Sequence, residues 1–251
     1  MNAPLYLYAV VDRPDEQSLG PIGVGSPPGE VRVLAVHGVG VVVSETTEAR
    51  FSPAGPDVAT HQAVLGRLME RYTVLPFRFG TVADGRAAVE TLVSSAADDL
   101  RDRLGRLAGR VEVGVKVFWR KEEMRRAALA AAGIRGALPL DAPQEERYAE
   151  AIRVGQAVEH IAGQWRERYV PRIAAALTAH SEELREGPPV ATAMLWNASF
   201  LVRRERLARF REAVDELDRR LGDYLDFRYV APLPPYSFVD LRWRPDEEVQ
   251  A

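Results

Sequence analysis

The sequence predicts an α+β fold in two domains, an N-terminal α+β domain over residues 1–80 and a C-terminal domain over residues 81–251. Three observations predict it. β-branched and aromatic runs recur along the chain, at Leu5–Val11, Val31–Ser44 and Val111–Trp119. Between them lie longer stretches whose apolar residues return at three- and four-residue steps, the helical period. From Val74 onward the order is strand, helix, strand, helical stretch, strand, helix, strand. Without the helical stretch, about residues 121–186, this is the βαββαβ plan.

Leu5–Val11 is apolar on both faces and so predicts a central strand. Asp12–Glu30, rich in proline and glycine, predicts a loop. Val31–Val36 and Val39–Ser44 are β-branched runs separated by His37-Gly38, the signature of a hairpin. Thr46–Pro56 reads as a second loop. Asp57, just after a proline and able to cap, opens a helix. Its apolar stripe is Val58, His61, Leu65, Leu68, Met69 and Tyr72. Val74–Phe79 reads as a strand ending at Gly80, and Pro76 inside it predicts an edge or a bulge. The sequence leaves open which domain owns this strand.

Asp84–Leu107 predicts a second helix, with Val89, Leu92, Val93, Ala96, Leu100, Leu104 and Leu107 on one side. Val111–Trp119 alternates strictly, so one face meets a core. Lys121–Ala132 reads as a short helix, Gly133–Pro143 as a loop, and Gln144 to about Glu186 as a long helical region. Ile152, Gly155, Ala162, Trp165, Tyr169 and Ile173 mark its buried stripe, and Pro171 predicts a kink or restart. Val190–Val202 predicts a long strand, Arg203–Leu221 an amphipathic helix capped by Gly222, and Tyr224–Ala231 a last core strand. Pro232, Pro234 and Pro235 then predict an extended path into Tyr236–Asp240.

Composition narrows the function. Thirty-three basic against 36 acidic residues give a net charge of −3, without the basic surplus of a nucleic-acid binder. Only two basic residues are lysine, Lys116 and Lys121. With no cysteine, disulfides, thiolate metal sites and cysteine nucleophiles are excluded. The N-terminus lacks the pattern of a signal peptide, and no apolar stretch reaches the roughly 18 residues of a membrane span. The expectation is a soluble, cytoplasmic protein.

No catalytic, cofactor-binding or metal-binding residue is predicted. His37, His61, His160 and His180 show no metal-ligand spacing and read as packed or exposed structural residues. Gly20–Gly29 lacks the ending of a phosphate-binding loop and reads as a flexible surface loop. Asp98-Asp99 and Glu122-Glu123 are neighbours on helices, pointing about 100° apart, and read as solvated faces. Arg78, Arg110 and Arg228 lie in or beside strands, where each contacts an anion or pairs with a carboxylate at a sheet margin. Tyr229, Tyr236 and Phe238 form a docking surface or cap the core beneath the last strand.

Four blocks, taken together, resemble one family. They are Tyr6–Val10; His61–Leu65 with Val74–Val82; Val111–Trp119; and Pro235–Val239. In order and spacing they resemble the core strands of the gas vesicle protein F/L family. The resemblance implies a two-domain α+β protein with a ferredoxin-like C-terminal part carrying the helical insertion. It implies a non-enzymatic minor component or assembly factor, in the cytoplasm and at the gas vesicle, and no cofactor. Its partners would be the small hydrophobic shell protein and other gas vesicle accessory proteins. Shell subunits expose apolar and edge-strand surfaces before they polymerise, which a partner's sheet edge or amphipathic helix can mask. Two other readings remain. One is a ferredoxin-like enzyme of the haem-dependent oxidoreductase type, with His160 or His180 as proximal ligand. The other is a small-ligand-binding regulator.

Overall fold

The computed structural model describes residues 3–48, 50–134 and 143–239. The chain divides into two compact units, Met1–Glu112 with Pro232–Ala251, and Val113–Ala231.

The first unit holds strands β1 (Leu5–Val11), β2 (Gln17–Pro21), β3 (Glu30–Val36), β4 (Val39–Glu45), β5 (Val74–Pro76) and β6 (Val82–Ala83), with helices α1 (Asp57–Met69) and α2 (Gly85–Leu107). Its sheet runs β2-β3-β4-β1-β5, and β6 also pairs with β1. β1 is central, as its two apolar faces require, and all seven of its residues are buried. Complete burial of a Val or Leu side chain stabilises by about 1.5–3 kcal/mol, so this strand anchors the unit. β3 and β4 form the expected hairpin, with Val36 opposite Val39. His37 and Gly38 both have positive φ, 45° and 83°, as a two-residue turn matching the strand twist demands.

Two departures from the sequence reading lie here. Asp12–Glu30 is not all loop, since Gln17–Pro21 pairs with β3 as an edge strand. An edge strand is half solvated and ends here in proline, so it lacks the apolar signal that marks strands. Val74–Phe79 is not one strand. β5 stops at Pro76 on the sheet edge, the chain turns at Gly80 (φ 82°), and β6 rejoins β1. β5 therefore belongs to the first sheet and does not open the βαββαβ series. Helix α2 forms as expected, burying Val89, Val93, Leu100, Leu104 and Leu107. It clusters with the first unit.

The second unit takes most of β7 (Arg110–Trp119), then α3 (Lys121–Ala131), α4 (Gln144–Thr178), β8 (Glu183–Glu186), β9 (Met194–Arg203), a 3₁₀ turn at Arg204–Arg206, α5 (Leu207–Leu221) and nearly all of β10 (Leu225–Leu233). Its sheet runs β10-β7-β9-β8. Val113, Val115 and Val117 of β7 pack with Leu195 and Phe200 of β9, Phe210 of α5, and Ile173 and Leu177 of α4. Alternation in β7 thus does what its pattern requires.

Here too the structure corrects the reading. The helical region ends at Thr178, and Glu183–Glu186 is a short strand on β9. Its charged sequence, Glu-Leu-Arg-Glu, resembles a helix face because an edge strand buries little. α4 continues through Pro171. Its stripe is buried at Ala162, Tyr169 and Ile173, whereas Ile152 is 43% exposed. β9 begins at Met194 rather than Val190. The tail does not stay extended, because Tyr236–Phe238 close a 3₁₀ turn within the first unit. Most of the predicted Gly133–Pro143 loop lies outside the described residues.

Candidate functional site

The most built polar cluster in the first unit surrounds His61. Helical spacing puts His61 on the inward face of α1, beside Val64, Leu65 and Leu68. Period-two alternation sends Tyr6 and Tyr8 of β1 to one face of the sheet. They meet there: the Tyr8 ring stacks on His61 at 5.6 Å between centroids, and Tyr6 lies edge-on at 5.7 Å. His61 Nδ1 lies 3.0 Å from the Tyr6 hydroxyl, and Nε2 lies 2.9 Å from the Tyr236 hydroxyl. The Gly80 amide donates to Tyr6, and Gln62 donates to Tyr236.

Burial fixes the charge state of this cluster. Desolvation pushes His61 down to about 4 and Tyr236 up to about 12, and raises Tyr6 and Tyr8 as well. At neutral pH the imidazole and the phenols are all uncharged. Both ring nitrogens are engaged, so His61 ties β1, α1 and the tail segment together.

The tail has two more polar anchors. Buried Glu112 accepts hydrogen bonds from the amide and hydroxyl of Ser237, at 2.8 and 2.7 Å. Arg106 donates to the Phe238 carbonyl at 3.0 Å. Alternation along Val111–Trp119 sets Glu112 on the face away from the valines and gave no sign of this role, because its partner is 125 residues away.

The Gly-rich loop is folded in rather than loose. Gly23 N–H donates to the Gly29 carbonyl, Val24 N–H to the Tyr8 hydroxyl, and Gly25 N–H to Asp57 Oδ1. A Cβ at Gly23 would stand 2.7 Å from both the Gly29 oxygen and the Tyr8 hydroxyl, closer than any side chain tolerates. Asp57 therefore braces this loop, while Pro56 occupies the cap position of α1.

The remaining candidates are dispersed. His37 sits in the hairpin turn, its carbonyl accepting from Arg101. His160 is exposed on α4 beside Gln164, and His180 follows the end of α4. Neither lies on the inward helix face that a proximal ligand needs. Among the described residues no three His, Cys, Asp or Glu side chains are grouped to hold a metal ion. Asp98 and Asp99 pair with Arg101 and Arg103, and Glu122 and Glu123 with Arg125 and Arg126, as solvated helix faces do. Arg78 is exposed, Arg110 donates to the Ala108 carbonyl, and Arg228 pairs with Asp226 over the Phe118 ring. Tyr229 packs against the core of the second unit near Phe210, whereas Tyr236 and buried Phe238 belong to the first.

The sequence model of the family described as gas vesicle synthesis protein GvpL/GvpF matches residues 4–240. The chain belongs to this family. Gas vesicle protein F of a Streptomyces species is 32% identical over 220 residues, covering 87% of this chain and 91% of that protein. Gas vesicle protein F of Dolichospermum flosaquae is 26% identical over 245 residues, 96% of this chain and 99% of that one. The crystal structure of GvpF from Microcystis aeruginosa superposes with a TM-score of 0.77 at 26% identity, covering 96% of this chain and all of the other. The relatives of this family that it resembles are named gas vesicle proteins F and L. No helix among the described residues of this family member is long and apolar enough to cross a membrane.

Proposed function

We propose that this protein is an accessory or minor structural component in gas vesicle assembly. It works in the cytoplasm and at the vesicle, binds the small hydrophobic shell protein and other accessory proteins, and catalyses no reaction. One observation carries this reading: the family match spans residues 4–240 of the 251, covering both units.

In the same reading the second unit is a ferredoxin-like βαββαβ domain. Its strands are β7, β8, β9 and β10, and α3 with α4 forms an enlarged first crossover. The order β10-β7-β9-β8 supports this, since the fourth, first, third and second strands then lie side by side.

The N-terminal half of α4 is the docking surface for the shell protein. Tyr148 is 70% exposed and Ile152 43% exposed, four residues apart on one helical face. An amphipathic face of this kind can cover an apolar subunit surface. Removing α4 whole would strip Tyr169, Ile173 and Leu177 from the core, so the test uses substitutions. In a pull-down with purified shell protein, the chain should capture it, and Tyr148→Asp with Ile152→Asp should cut capture about tenfold while the fold persists. Undiminished capture by the double variant removes the docking surface from α4. No capture of shell protein by the native chain removes the proposed function.

A further inference from the structure

The two edges of the second sheet differ. β8 has four residues, Glu183-Leu-Arg-Glu186, and its charges blunt it. β10 has nine, Leu225–Leu233, and its sequence is mostly apolar. It is the terminal strand of its sheet, with Val230 51% exposed, and Tyr224 just before it is 44% exposed. A long edge, apolar apart from Asp226 and Arg228 and unbroken as far as Pro232, is a template for another strand.

The side chains of β10 say which strand. Asp226, Arg228 and Val230 share one face, and Leu225, Phe227 and Tyr229 share the other, where Phe227 and Tyr229 pack at the margin of the core. Beside them, between α5 and β10, lies a groove of about 360 Å³ lined by Arg211, Val214, Asp215 and Asp218 of α5 and by Phe227, Arg228 and Tyr229 of β10. Two copies of β10 can pair antiparallel in several registers that keep both α5 helices on one face of the joined sheet. Centred on Asp226 or Arg228, like charges oppose. Centred on Tyr229, each charge meets an apolar residue. Centred on Phe227, Asp226 of each copy stands opposite Arg228 of the other, twice over. Opposite-charge pairs across strands stabilise and like-charge pairs destabilise. In that register Leu225 meets Tyr229, Tyr224 meets Val230, and the two Phe227 rings meet at the grooves.

We propose that the β10 edge is a self-association surface on which a second copy of this chain adds its own β10 antiparallel, centred on Phe227, to form one continuous sheet. A two-fold interface of this type is self-complementary by construction. The proposal is independent of shell-protein binding.

The test is the mass of the full-length chain in solution, by sedimentation equilibrium up to roughly 100 µM, where weak association is populated. The wild type should reach the mass of two chains. Asp226→Arg and Arg228→Asp should each weaken association about tenfold, and the double swap should restore it. The pair is solvent-exposed, so thermal melting should leave all variants folded. The chain has no cysteine, which makes cross-linking clean. Phe227→Cys should give an oxidised dimer. Val230→Cys should not, because that register separates the two 230 positions by about 20 Å. A wild type that stays monomeric throughout overturns the proposal. So does a dimer indifferent to both single swaps, or one cross-linked equally by the two cysteine variants. Association only with a different polypeptide added to the sample also overturns it.

Discussion

His61 Nε2 lies 2.9 Å from the hydroxyl of Tyr236, a residue 175 positions further along the chain. The other ring nitrogen meets Tyr6 of β1. One neutral imidazole therefore joins the first strand, the first helix and the tail. His61→Ala should remove both hydrogen bonds and open a cavity, lowering stability by roughly 3 kcal/mol. Tyr236→Phe should cost less, about 1–2 kcal/mol, because only one buried nitrogen loses its partner. Urea denaturation of both variants measures the difference. Equal, negligible losses would mean that the cluster is not anchoring the tail.

Stability should fall in mild acid through the same residue. His61 titrates near 4 when folded, against an ordinary value of about 6.5 in the unfolded chain. Between those values the unfolded state binds the extra proton, so its free energy drops relative to the folded state. The contribution is complete above pH 6.5 and is lost as pH falls toward 4, by up to about 3 kcal/mol. Denaturation at pH 7 and pH 4.5, for the native chain and for His61→Phe, isolates it. The variant should show the shallower dependence.

Glu112→Gln keeps the shape of a side chain whose two oxygens receive the Ser237 amide and hydroxyl. It replaces one acceptor by a donor facing a donor. The expected loss is about 1–2 kcal/mol, together with faster proteolytic cleavage of the chain after Pro232. Cleavage at the native rate would count against Glu112 as a tail anchor.

Gly23→Ala should destabilise by roughly 1–3 kcal/mol, since the new methyl would meet the Gly29 carbonyl and the Tyr8 hydroxyl at 2.7 Å. Gly66 on α1, where an added methyl would meet nothing within 4 Å, is the control, and there alanine should be neutral or stabilising. Thermal melting of the two variants separates close packing from chain entropy. Similar melting temperatures would contradict the packing role of Gly23.

Elements with a strong periodic signature were legible in the sequence. β1, the β3–β4 hairpin, α1, α2, β7 and α5 lie where alternation or helical spacing puts them, because their burial is one-sided or complete and writes itself into the pattern. β2 and β8 were not legible, for the opposite reason. Each is a short edge strand stabilised by backbone pairing to one neighbour, and backbone hydrogen bonds leave no mark on side-chain hydrophobicity.

The cluster around His61 shows the same division more sharply. Sequence alone placed His61 on the apolar stripe of a helix, and the two tyrosines on one face of a strand. It also supplied the order of blocks by which the chain resembles the gas vesicle F/L proteins. It did not join them to Tyr236 or Glu112 to Ser237, or assign the strand at Val74 to the first sheet. Those are agreements between residues more than a hundred positions apart, or between backbone groups identical in every residue. Local pattern reports whether a side chain is buried. Only the closed tertiary structure decides against what.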